Sequence, residues 1–258
     1  MIGEHVLAGY TAGPGGREAL ALGHAIVALT GGRLTVATVH PPGRPAAAGE
    51  AAALLDRLGD DLAGAETALQ ESRGAGRGLS VLAGRIGADM IVVGSAEGGA
   101  RGRIAIGSTA DHLLHAATEA VALAPAGYTP AETLTRITVA YVRRPQCDEA
   151  VARAADAART LGVPLRLLTL ALDDDEDRLR DDLALAVRAS GLDAEAVLAE
   201  GDDVADAVGR TAWSEGELLI CASSEDATAH RVFLGEIALK LLRAAPCPVA
   251  VLPRGYAI

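Results

Sequence analysis

Along the first half of the chain, short runs of apolar residues alternate with longer stretches in which apolar residues recur every three or four positions. The first pattern belongs to buried strands and the second to amphipathic helices. Val6 to Gly9 is a run of the first kind, closed by a Gly/Pro turn, and Arg17 to Leu29 follows with helical spacing. Leu34 to Val39 is rich in β-branched residues and stops at Pro41-Pro42, where a strand must end. The pattern then predicts a helix over Gly49 to Leu62, a weak strand over Ala65 to Gln70 and a short helix over Gly78 to Ile86. A buried strand over Met90 to Val93, an amphipathic helix over Ile104 to Ala117 and a last strand over Ala120 to Leu123 complete the series. Strands that alternate with helices in this way form a parallel sheet covered on both faces.

The second half repeats the first. Arg103 to Tyr128 aligns without a gap on Arg231 to Tyr256 at an offset of 128 residues, with 12 of 26 positions identical. The match extends back through ADMIVVGSAE, ending at Glu97, which lies over GELLICASSE, ending at Glu225. Near the two starts the offset becomes 131, pairing Tyr10 with Tyr141, Pro14 with Pro145, Glu18 with Glu149, Gly31 with Gly162 and Thr38 with Thr169. Such self-similarity marks a duplicated unit. The expected domains are therefore 1–130 and 131–258, joined by a short linker over Thr129 to Thr133, each an α/β, doubly wound, five-stranded parallel sheet of Rossmann-like type.

Composition narrows the partners. The 258 residues are 50% hydrophobic and 22% charged, enough apolar surface for folded cores. The aromatics are one Trp, four Tyr and one Phe, so those cores must be built from aliphatic side chains. A formal charge of −11 repels phosphate backbones and acidic lipid, which argues against nucleic acid and membrane partners. Cys147, Cys221 and Cys247 form no C-x-x-C and read as buried small hydrophobes, without disulfide or metal. With no basic leader and no long apolar run, the expected location is the cytoplasm.

In a doubly wound sheet the ligand crevice lies beyond the carboxyl ends of the strands, where the strand order reverses. Its walls would be Tyr10 to Gly16, the end of the second strand near Val39, and the Gly-rich loop GSAEGGARGRIAIGS from Gly94 to Ser108. Those glycines suit phosphate binding by loop amides and a helix N-terminus, or equally turn geometry and close helix packing. His112 and His115 with Asp111 share a helix face but lack a further ligand, so a solvated or capping role is expected. Asp173 to Asp177 could attract a cation but is expected to be a solvated loop whose last acids favour the next helix's N-terminus, and Asp202, Asp203 and Asp206 are expected at a helix start with an Asp as N-cap. Trp213 and Phe233 are read as packing residues. No G-x4-G-K-[ST], G-x-G-x-x-G, G-x-S-x-G or H-E-x-x-H occurs, and the expectation is a protein without enzymatic activity, slow nucleotide hydrolysis being a weaker alternative.

These features together resemble the universal stress protein family in its tandem two-domain form. The likeness rests on IVVGS, on the loop closing in Gly107-Ser108, on ADHLLHAA and on LLRAAPCPVAVLP, and covers nearly the whole chain. It implies two five-stranded units of the adenine nucleotide alpha hydrolase-like fold, an intramolecular pseudo-dimer with a further homodimer left open, and a non-catalytic role in a stress response with an unidentified protein partner. Some family members bind ATP, with Mg, through G-x2-G-x9-G-S/T. Carried over to this chain, that pattern gives Thr11, Gly13, Val39, Gly94, Gly98, Gly107 and Ser108 as nucleotide-binding candidates. Gly94, Gly107 and Ser108 match, but Glu97 holds the second glycine position with Gly98 displaced by one, and Thr11 stands where the family has aspartate. The second unit departs further, with Ala222, Glu225, Gly235 and Glu236 in the loop, and Val142, Arg143 and Arg144 after its first strand. Arg143 or Arg144 is expected to pair with Glu225 or Glu236 and fill a vacated cleft. The alternative to nucleotide binding is an interaction module of the same fold whose clefts bind no nucleotide.

Overall fold

The computed structural model describes residues 2–172, 175–224 and 231–255. The chain divides into two units, Met1–Pro130 and Ala131–Ile258. Unit 1 runs β1 (His5–Gly9), α1 (Pro14–Thr30), β2 (Arg33–His40), α2 (Pro45–Asp56), β3 (Glu66–Glu71), α3 (Ala75–Ile86), β4 (Met90–Gly94), α4 (Ser108–Ala116) and β5 (Ala120–Ala124). Its strands are parallel in the order β3-β2-β1-β4-β5. Unit 2 runs β6 (Arg136–Ala140), α5 (Pro145–Leu161), β7 (Leu165–Ala171), α6 (Glu176–Ser190), β8 (Glu195–Glu200), α7 (Val204–Arg210), β9 (Glu217–Ala222), α8 (Glu236–Ala244) and β10 (Val249–Leu252). Its order is β10-β9-β6-β7-β8, again parallel. Both units are the doubly wound α/β sheets that the alternating pattern predicts. Among the described residues no helix is long and apolar enough to cross a membrane.

The helix boundaries follow local chemistry. Proline opens α1, α2 and α5, where its missing N–H is not needed, and left-handed Gly31, Gly87, Gly162 and Gly191 close α1, α3, α5 and α6. Three predicted helices are corrected. The stretch from Gly49 to Leu62 is not one helix: α2 starts earlier, at Pro45, and ends at Asp56, and a 3-10 turn takes Gly59–Leu62 because Gly59 turns left-handed at φ 46°. Helix α4 begins at Ser108 rather than Ile104, since Gly107 is extended. Ile104 is buried from within the preceding loop, so its hydrophobicity counted toward a helix that it does not join. Helix α3 likewise starts three residues before its predicted Gly78.

The duplicated Glu18 and Glu149 do the same job in each unit. Glu18 on α1 accepts from the Gly127 N–H at 2.5 Å, and Glu149 on α5 accepts from the Gly255 N–H at 3.1 Å, tying the segment after the last strand to the first helix. The amino ends of the strands differ between units. In unit 1, His5 contacts Thr35 Oγ1 through Nε2 at 2.9 Å and Arg33 through Nδ1 at 2.9 Å, while Asp89 accepts from the Gly3 and Glu4 amides. Because Arg33 can only donate, Nδ1 accepts and the neutral imidazole keeps its proton on Nε2.

At the duplicated positions unit 2 carries Arg136, Arg166 and Glu217. Arg166, 1% exposed, donates to Glu217 Oε1 at 2.5 Å, to Thr138 Oγ1 at 3.0 Å and to the Ala212 carbonyl at 2.6 Å. Its guanidinium lies 4.9 Å from the Trp213 ring centroid. The other carboxylate oxygen of Glu217 takes Arg136 and the Ser214 N–H, each at 2.9 Å. A buried pair is tolerable only when its remaining polar atoms are satisfied in this way. Trp213 therefore does more than pack: it roofs a buried charge and donates its indole N–H to the Val208 carbonyl at 3.0 Å.

Two outcomes follow. Glu217→Ala strands the Arg166 charge, so unit 2 should lose about 3–5 kcal/mol; urea unfolding followed by fluorescence of Trp213, the chain's one tryptophan, reads this directly. Burial, reinforced by Arg33, depresses the His5 pKa below its ordinary 6.5. The unfolded chain then takes the proton first, so this part of unit 1's stability is complete above pH 6.5 and drains away as the pH falls through the depressed folded value. His5→Gln should flatten that acid-side loss in circular-dichroism unfolding curves.

Candidate functional site

Unit 1 reverses its strand order between β1 and β4, and beyond their carboxyl ends lies a cleft of about 330 Å³. Three segments frame it. Tyr10 to Gly15 follows β1, Ala37 to Val39 closes β2, and Val93 to Glu97 leads from β4 into the loop that ends at α4. The first segment is pinned to β2, since the Tyr10 N–H donates to the Ala37 carbonyl at 2.7 Å and Thr38 Oγ1 donates to the Tyr10 carbonyl at 3.2 Å.

The loop after β4 is held at its base by Ser95, whose buried Oγ accepts from the Ala105 N–H at 2.9 Å, beside an Ala96 N–H bond to the Ala105 carbonyl. Ala96 to Gly99 is a tight turn closed by the Gly99 N–H on the Ala96 carbonyl at 3.3 Å, with Gly98 at φ +80°. A left-handed third residue is the mark of a type II turn and selects glycine. Helix α4 then starts at Gly107 with no side-chain cap, leaving the first-turn amides of Ser108, Thr109 and Ala110 on the cleft wall without an intrahelical acceptor.

Thr11, Gly13, Val39, Gly94, Gly107 and Ser108 all line this one cleft. Gly98 is corrected: it is not part of the lining, and its turn instead sets Glu97 there. The Glu97 Oε1 lies 3.0 Å from where a Cβ on Gly13 would begin, so the carboxylate leans across the mouth toward α1. It is the one charged side chain among the lining residues, which otherwise offer hydroxyls from Thr11, Ser108 and Thr109 and an apolar wall including Val39 and Leu79.

The glycines divide by task. A Cβ on Gly94 would stand 2.0 Å from the Gly15 carbonyl oxygen, one on Gly15 2.5 Å from the Ser95 oxygen, and one on Gly16 2.1 Å from the Thr11 oxygen. Gly94 and Gly15 let α1 dock on the end of β4 and Gly16 lets the loop after β1 fold back, whereas Gly98 is demanded only by its backbone angle, with open space around it.

Unit 2 keeps the loop's frame and changes its contents. The Ser224 N–H bonds the Phe233 carbonyl at 2.7 Å and Ser223 Oγ accepts from the Phe233 N–H at 3.4 Å, repeating the Ser95 arrangement. Gln146 and Cys147 stand at the duplicated positions of Gly15 and Gly16, and both are buried. Two members of the expected pairing have other partners: Arg143 donates to Asp182 Oδ1 on α6 at 2.9 Å, and Glu236 meets Lys240 one turn along α8 at 2.7 Å. For Glu236, a partner within one helical turn needs less chain ordered than one across the loop. Arg144 is the N-cap of α5, and Glu225 lies outside the described residues. Asp182 was invisible to sequence reasoning because α6 reaches the loop after β6 only through the fold. Tyr141 donates to Asp148 at 3.0 Å, and burial with that carboxylate pushes its phenol well above the usual range.

The remaining candidates are structural. His115 Nδ1 contacts the Asp111 carbonyl at 2.7 Å on α4, and no group of three or more potential metal ligands exists among the described residues. Asp175 caps α6 through the Arg178 N–H, and Asp203 caps α7 through the Asp206 N–H; Asp173, Asp174 and Tyr256 lie outside the described residues. All three cysteines are buried, and burial pushes the Cys221 thiol up to about 12.

Fold and cleft together define a tandem of doubly wound α/β units, the first with an open crossover cleft. The profile described as the Universal stress protein family matches residues 3–125 and again 133–253. Universal stress protein Rv2319c of Mycobacterium tuberculosis is 30% identical, over 96% of this chain and 99% of its own length. This chain belongs to the universal stress protein family. In fold it is similar to a universal stress protein from Archaeoglobus fulgidus DSM 4304, with TM-score 0.76, 17% identity and coverage of 99% and 100% of the two chains. It is also similar to a functionally unknown protein, PA1789, from Pseudomonas aeruginosa PAO1, with TM-score 0.68, 16% identity and coverage of 97% and 92%.

The two kinds of glycine should separate on mutation. Gly98→Ala strains one backbone angle in open space and should cost about 1 kcal/mol. Gly94→Ala drives a Cβ into backbone and should cost more, about 1–3 kcal/mol, with the end of α1 displaced. Calorimetric unfolding of unit 1 measures both, with Trp213 fluorescence as an unaffected reference in unit 2.

Proposed function

We propose that this protein is a non-catalytic stress-response regulator whose unit 1 binds an adenine nucleotide in the crossover cleft. The observation that carries this reading is the juxtaposition, in one cleft, of the uncapped α4 N-terminus with an apolar wall at the end of β2. The free amides suit a phosphate and the wall suits a base, and the volume lies at the low end of ligand pockets. For the family's ATP with Mg, the donor set fits the nucleoside and one phosphate. Family membership supports the regulatory role, and the lining offers hydroxyls, amides and a carboxylate rather than a nucleophile with its base. Bound ligand would then bias the chain's equilibrium with a protein partner. Unit 2, with Gln146 and Cys147 buried at the corresponding positions, would serve the interaction rather than the ligand.

Thermal unfolding of nucleotide-stripped protein with millimolar adenine nucleotides tests this. A ligand at about 100 times its Kd adds about 2.7 kcal/mol to unit 1, and Gly107→Glu, which sets a carboxylate at the α4 N-terminus, should abolish the gain. No gain with any adenine nucleotide would leave the alternative, an interaction module with silent clefts.

A further inference from the structure

We infer that Glu97 makes the unit 1 cleft selective for a nucleoside carrying at most one phosphate, and closes it to a nucleoside triphosphate. The inference rests on the nucleotide reading above and assigns the ligand class.

Three observations carry it. First, Glu97 is the one charged side chain among the residues that line the cleft, and no Lys or Arg there balances it. A polyphosphate laid along the loop would bring several negative charges toward an uncompensated carboxylate. Second, the backbone sets where residue 97 stands. Residue 97 is the second position of the turn from Ala96 to Gly99, fixed by the left-handed Gly98 and by the Gly99 N–H on the Ala96 carbonyl, and Oε1 reaches over Gly13. It thus stands beside the α1 N-terminus, next in sequence to Ala96, whose Cβ lies 3.1 Å from where a Cβ on Gly107 would begin at the α4 N-terminus. Third, the remaining groups suit a shorter ligand. A carboxylate only accepts hydrogen bonds, so its complement is a pair of ribose hydroxyls or an exocyclic amine, not a phosphate oxygen. The α4 amides remain for a single phosphate.

The test is titration calorimetry with adenosine, AMP and ATP, with EDTA and again with magnesium, on the full chain and on Glu97→Gln. Glu97 is exposed, and unliganded unfolding curves of the two proteins check that the variant folds alike. The expected result is that the native protein binds adenosine or AMP at least about tenfold more tightly than magnesium-free ATP. Glu97→Gln should bring that ratio close to unity by strengthening ATP, with any effect on adenosine in the opposite direction because the amide oxygen is the weaker acceptor. If ATP without magnesium binds the native protein as well as AMP, and the variant changes neither, selection by Glu97 is overturned while the nucleotide reading stands. If ATP binds well only with magnesium and the variant loses that dependence, Glu97 is a metal ligand and exclusion is wrong. If none of the three binds either protein, the nucleotide reading itself fails and takes this inference with it.

Discussion

The cleft of unit 1 exists because two stretches of backbone touch. The last residue of β4, Gly94, meets Gly15 in the first turn of α1, so closely that a single methyl on either would overlap a carbonyl oxygen. Only glycine permits such an approach. With α1 seated there, the loop after β1 folds back on itself at Gly16, and the Ser95-pinned loop is left as the opposite wall. The contacts of a ligand would lie between those two walls and the end of β2. The residues most readily taken for phosphate binders are therefore first of all residues that let two elements meet, and any binding property is a consequence of that meeting.

Unit 2 shows what happens when the constraint is relaxed on the same frame. Gln146, Cys147 and Ala222 replace Gly15, Gly16 and Gly94, so the backbones carry side chains where unit 1 has contact. The hydrogen bonds that shape the loop survive through Ser223 and Ser224, as does the clamp of the first-helix glutamate on the segment after the last strand. The amino ends of the strands changed as well, from a neutral histidine–threonine pair to a buried guanidinium–carboxylate pair under Trp213. Duplication preserved the hydrogen bonds that define the fold and released the positions that do not.

The alternation of strands and helices and the duplication were legible because they rest on periodicity and identity, which are local or internal to the sequence. Element ends were less so. Ile104 shows why: it is buried beneath a loop, and burial by tertiary contact looks the same in sequence as burial by a helix face. The lining of the cleft was largely legible from spacing at strand ends, since Thr11, Val39, Gly94 and Ser108 need only the strand order to bring them together. The electrostatics of unit 2 were not. Arg143 meets Asp182 from a different helix, and Glu236 takes a lysine one turn away, choices settled by chain geometry that residue spacing across a loop does not encode.

The displacement of one glycine in the loop shows how little sequence change separates a permissive site from a selective one. Loop length from Gly94 to Ser108 is that of the family pattern, so the frame from Ser95 to Ala105 closes without strain at its base. Within that fixed length the turn requires a left-handed residue at 98, and glycine supplies it. The position before it has ordinary backbone geometry and accepts any side chain, which here is a carboxylate facing the cleft. Backbone conformation thus decides where the glycine must be, and the residue released by that demand decides the charge of the site. Turn geometry and cleft charge are set at adjacent positions, by different physics, and can change independently.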